Sequence, residues 1–81
     1  MQKIFKTTIR LNKQDSSTIY FYLESNENIV FYSTLESSLK EGYRDIEIKG
    51  SIDFIEDFKR MFQYICTKIK IQTIQEIQIV E

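Results

Sequence analysis

Between Ile52 and Ile69 apolar side chains recur at spacings of three and four. Ile55, Phe58, Phe62, Ile65 and Ile69 form one stripe, flanked by Phe54, Met61 and Cys66, while Glu56, Asp57, Lys59, Arg60, Gln63 and Lys68 take the other side. The spacing predicts a helix. Ser51 stands where an N-cap belongs, Asp53, Glu56 and Asp57 lie near the positive end of the helix dipole, and Lys68 and Lys70 near its negative end. Burying the five stripe residues contributes on the order of 10 kcal/mol before conformational entropy is subtracted.

Elsewhere the period is two. From Lys3 to Leu11, Phe5, Ile9 and Leu11 share one face and Lys6, Thr8 and Arg10 the other. From Asn28 to Glu36, Ile29, Phe31 and Leu35 alternate with Val30, Tyr32 and Thr34. From Tyr43 to Lys49, Ile46 and Ile48 alternate with Asp45, Glu47 and Lys49, the pattern of a half-buried strand. From Lys70 to Val80, Ile71, Ile77 and Ile79 share a parity that Ile74 breaks, which predicts a bulge or a change of partner near Gln75. Ser37 to Gly42 is read as the loop joining the second and third strands.

Ser16 to Asn26 supports two readings. Ile19, Phe21 and Leu23 alternate as in a strand, and propensity favours that form. As a helix, Ile19, Tyr22 and Leu23 make an inward stripe, with Asp15 or Ser16 as cap. The stretch between Leu11 and Ile29 has room for the crossover that parallel strands require. The helical reading makes the chain strand-helix-strand-strand-helix-strand. That is an α+β, ferredoxin-like βαββαβ arrangement: a four-stranded antiparallel sheet with two helices on one face. The alternative is a five-stranded sheet with one long helix.

A resemblance supports the helix. The run Phe21-Tyr22-Leu23-Glu24-Ser25-Asn26-Glu27-Asn28-Ile29-Val30, continuing to Thr34-Leu35-Glu36, resembles a short bacterial family classed as a domain of unknown function. Its members carry an apolar helix ending Leu-Glu-Gly, a short acidic turn, and a strand ending Thr-Leu-Asp. The similarity spans roughly residues 7 to 65 and includes the strand around Ile46 to Lys49 with the acidic helix after it. Ser25 stands where the family has Gly, and Gly50-Ser51 where it has Pro-rich residues. The resemblance implies a fold and no activity.

Composition narrows the function. Lys+Arg 11 against Asp+Glu 12 gives a net charge of -1, and 42% of residues are hydrophobic, a globular balance that does not hold nucleic acid by bulk charge. The 81 residues are expected to form one domain, 1–81. No apolar run reaches the length of a membrane span, and the charged start, Met1 to Lys6, does not read as a signal peptide. One cysteine excludes an internal disulfide and fits a reducing cytoplasm. The chain has no histidine, so the commonest general base and metal ligand are missing, and two isolated glycines, Gly42 and Gly50, cannot make a phosphate cradle. No cofactor and no metal are expected.

Each candidate chemistry has a plainer explanation. Ser37-Ser38 near Lys40 reads as a solvated turn rather than a nucleophile, and Cys66 as a small core residue of the long helix. Asp45 and Glu47, two apart on one strand face, have the spacing of an acid/base pair, but Lys6, Arg10 and Lys49 on neighbouring strands account for them as ion-pair partners. RNA recognition motifs share the split βαβ order and stack bases on aromatics of the central strands. Here the outward positions offer Tyr43, with Tyr32 adjacent, beside two acids that repel phosphate.

The expectation is therefore a non-catalytic interaction or regulatory module acting through its bare sheet face. Ile4, Val30, Tyr32, Tyr43 and Ile74 are expected to form an apolar strip there. Tyr32 and Tyr43 serve as anchors, with Lys6, Arg10, Asp45 and Glu47 setting register toward a protein partner or a second copy in a homodimer. RNA or a small ligand on the same face is the alternative.

Overall fold

The computed structural model describes residues 3–36 and 42–80. In chain order the elements are β1 (Ile4–Asn12), α1 (Ser16–Ser25), β2 (Phe31–Thr34), β3 (Tyr43–Ser51), α2 (Ile55–Cys66) and β4 (Ile71–Val80), with short 3-10 turns leading into both helices. The strands form one antiparallel sheet in the order β2-β3-β1-β4, so β1 and β3 are central. This is the ferredoxin-like βαββαβ arrangement. The Ser37–Gly42 loop and the Ser37-Ser38/Lys40 group fall outside the described residues, except for Gly42.

Alternation decides which side of each central strand is covered. Phe5, Ile9 and Leu11 of β1 and Ile46 and Ile48 of β3 are buried beneath the helices, joined by Ile19 and Leu23 of α1 and Phe58 and Ile65 of α2. The Phe5 and Phe58 rings meet at 4.9 Å, and Phe58 stacks on Phe62 at 5.6 Å. Tyr22 of α1 meets Tyr64 of α2 edge-on at 5.9 Å, closing the seam between the helices. Burial, with Tyr64 beside it, pushes the Tyr22 phenol above its ordinary range.

Ser16–Ser25 is a helix, against its strand-like composition. Its buried residues are Ile19 and Leu23, four apart, so one turn-to-turn contact with the sheet outweighs propensity. The helix closes when Asn26 donates its side-chain amide to the Tyr22 carbonyl and its own carbonyl accepts from the N–H groups of Ile29 and Val30. In α2 Ile55, Phe58, Phe62 and Ile65 turn inward as the spacing predicts, and Ile69 packs on the core just beyond the helix. The Ser51 hydroxyl accepts from the Asp53 N–H at 3.2 Å to cap the 3-10 turn before α2 rather than α2 itself. The helix ends at Cys66, which is exposed rather than part of the core. Ile65 takes the inward position beside it, and partial burial raises the Cys66 thiol above its ordinary range.

Two details shape the sheet. The pairing of β4 with β1 shifts on either side of the Thr8–Gln75 pair, the irregularity that the parity break at Ile74 predicts. The Thr7 hydroxyl donates to the Gln75 carbonyl at 2.7 Å inside this bulge. At the other end of β1, a Cβ at Gly50 would lie 2.5 Å from the Ile29 carbonyl oxygen and 2.6 Å from the Phe5 ring. A side chain has no room there, and only glycine lets the chain entering β2 pass this close to β3.

Candidate functional site: the bare face of the sheet

Both helices pack on one side of the sheet. The opposite side is built from the register of β1 against β3. Lys6 stands opposite Lys49, Thr8 opposite Glu47, Arg10 opposite Asp45, and Asn12 opposite Tyr43. Five of the six residues expected at the site, Lys6, Arg10, Tyr43, Asp45 and Glu47, are brought together here.

Tyr32 is not among them. β2 pairs Tyr32 with Ile48 and Thr34 with Ile46, which turns both toward the helices, and puts Phe31 opposite Lys49 on the bare face. Tyr32 stacks on Tyr20 of α1 at 5.4 Å and donates its phenol to Glu24 at 2.7 Å. That hydrogen bond, with partial burial, pushes its pKa up to about 12. The hydroxyls of Tyr20 and Thr34 bond beside it. Val30, expected in the same strip, is a core residue. The reason is local. Both parities of β2 begin with an aromatic residue, so alternation carries no polarity, and the turn at Asn26–Val30 sets the phase instead. Phe31, 74% exposed, joins Tyr43 as an aromatic of the bare face, and its parity with Ser33 was the available signal.

The charges on this face satisfy one another. The Arg10 guanidinium grips Asp45 with two hydrogen bonds, at 2.7 and 3.0 Å, and lies 4.0 Å from the centre of the Tyr43 ring. Asp45 is 8% exposed, and its hydrogen bond raises the Arg10 pKa despite the opposing effect of burial. Glu47 lies 3.3 Å from Lys49 and 3.9 Å from Lys6. The carboxylates are thus engaged, as expected of ion-pair partners, and the outer pairs contribute little each in water. Among the described residues no group of three or more acids, histidines or cysteines is placed to hold a metal ion.

The face is flanked unevenly. Beyond β2 it ends in the exposed Phe31 ring. Beyond β4 it carries Gln72 opposite Arg10 and Gln78 opposite Lys6. At the end where β1 stops and β3 and β4 begin, a cleft of about 340 Å³ is lined by Arg10, Asn12, Tyr43, Lys70 and Gln72 over Leu11 and Ile71. No helix among the described residues is long and apolar enough to cross a membrane.

No protein-family model and no curated protein matches the chain, so membership in the short bacterial family it resembles is not shown. Solved structures do match. The solution structure of the SecDF periplasmic domain P4 has a TM-score of 0.70 at 13% identity, over 100% of this chain and 90% of that one. The regulatory subunit of aspartate kinase from Thermus thermophilus has a TM-score of 0.58 at 9% identity, over 96% of this chain and 56% of that one. CPII, a nitrogen regulatory PII-like protein from Thiomonas intermedia K12, has a TM-score of 0.53 at 13% identity, over 98% and 93%. At such identities the likeness establishes the ferredoxin-like fold.

Proposed function

We propose that this chain is a non-catalytic interaction or regulatory module, working as a homodimer in the cytoplasm, whose bare sheet face receives a protein partner. The observation that carries the reading is a sheet with one side packed by helices and the other left open, bearing Phe31 at 74% exposure beside ion pairs that need no further counter-charge. A self-neutralised face favours a protein surface over a polyanion. Asp45 and Glu47 are held in ion pairs, which speaks against acid/base chemistry. Regulatory domains among the similar structures agree with the reading in kind, though fold alone assigns no function.

The test is Phe31→Ser. Because this ring is exposed, the variant keeps wild-type stability within about 0.5 kcal/mol and loses retention of the partner that the wild-type chain recovers from its source cell. Equal retention by the two proteins contradicts the reading. A second reading, a small anionic ligand, is favoured by Lys70 in the cleft it lines with Asn12, Tyr43 and Gln72. Chemical-shift changes confined to Asn12, Tyr43 and Gln72 on titration with citrate would support it, and none at saturating citrate would count against it.

A further inference from the structure

β4 is an outer strand, and among the described residues the side of its backbone facing away from β1 meets no other strand. The large aliphatic side chains left exposed among the described residues, Ile74, Ile79 and Val80, all lie on this strand. It runs ten residues with no proline and a single charge, Glu76. Edges that must stay unpaired are short, carry lysine or proline, or are twisted away by a bulge. The opposite edge, β2, is four residues long and fits that rule. β4 is long, lacks lysine and proline, and has only the bulge at Gln75.

We propose that a second copy of this chain adds its own β4 along this edge, antiparallel, joining two four-stranded sheets into one of eight strands. The occupant follows from the strand itself. Antiparallel pairing about Gln75 sets Ile71 opposite Ile79 and Gln72 opposite Gln78, so like meets like toward both ends of the strand, with Thr73 opposite Ile77 nearer the axis. Glu76 then falls opposite Ile74 and not opposite its own copy, as it would one register step further on. The bulge coincides with the axis. Its two register shifts flank Gln75, so the straight segment before it in one copy meets the straight segment after it in the other. A net charge of -1 opposes self-association little.

This inference rests on the reading of the chain as a dimeric interaction module and names the surface that makes the dimer. With the twofold axis normal to the sheet, all four helices fall on one side, and the two bare faces become one continuous surface still open to a partner.

Sedimentation across a concentration series tests it, with substitutions at two exposed glutamines. Gln72→Lys with Gln78→Lys sets like charges opposite each other twice per dimer and weakens association by about tenfold. Gln72→Lys with Gln78→Glu sets opposite charges there and restores it. A wild-type chain that is monomeric throughout overturns the inference, as does a dimer indifferent to both double variants. A dimer abolished by Phe31→Ser and untouched at the glutamines also overturns it, and assigns the contact to the face. A monomeric chain that still retains its partner through Phe31 refutes the edge pairing and the homodimer, and leaves standing only the bare face as the surface that receives the partner.

Discussion

Single residues show where this fold has no slack. Gly50 is one of two glycines, and the two behave oppositely. A methyl group at Gly50 collides with a backbone carbonyl and the Phe5 ring, whereas one at Gly42 meets nothing within 4 Å. Gly50→Ala is expected to destabilise the protein by about 1–3 kcal/mol and Gly42→Ala to change stability by less than about 0.5 kcal/mol, measured by urea unfolding. Tyr32 gives a pH signature. Its phenol titrates at about 12 in the folded chain, above its ordinary value of about 10, so the protonated form is the one that folding favours. Its contribution is complete below pH about 10 and is lost as pH rises through about 12. Tyr32→Phe should therefore flatten the fall in stability across that interval and remove a late step from the ultraviolet phenolate titration. A late step that survives in the variant would assign it to another tyrosine. Neither residue's behaviour was legible in the sequence. Gly50 lies in a polar stretch like Gly42, and only the approach of Ile29 distinguishes them.

At the level of elements, what could be read depended on contrast between faces. β1, β3 and α2 each set apolar against charged positions, and their burial follows the period. The parity break at Ile74 foretold the bulge in β4 for the same reason. β2 lacks such contrast, and its face came out opposite for Tyr32 and Val30. α1 is the instructive case, because topology and a family resemblance, not propensity, identified it. Its Thr18-Ile19-Tyr20-Phe21-Tyr22 run is poor helix sequence, held by Ile19 and Leu23 against the sheet. A peptide of residues 13–26 should accordingly show no helical circular dichroism in water. Substantial helicity in the free peptide would mean that local preference, not packing, forms α1.

For the whole molecule, the charged positions of the candidate site and Tyr43 were foreseeable, and its most exposed aromatic, Phe31, was not. Lys6, Arg10, Asp45 and Glu47 follow from strict alternation on two central strands. Phe31 depended on the phase of a four-residue edge strand set by the preceding turn. The result is a two-sided domain. One side is closed by helices, while the other is an array of mutually neutralised charges edged by an exposed ring on β2 and the long strand β4. The chain's regulatory or interaction role, in the reading proposed here, follows from that asymmetry.

The most direct measurement is site-specific photo-crosslinking in the source cell. The probe is placed at Ser33, opposite Glu47 on the bare face, and separately at exposed Lys59 on α2. A discrete adduct from Ser33, absent at Lys59 and lost in the Phe31→Ser background, is the predicted result. No adduct at Ser33, or the same adduct from both positions, would contradict the assignment of this face as the contact surface.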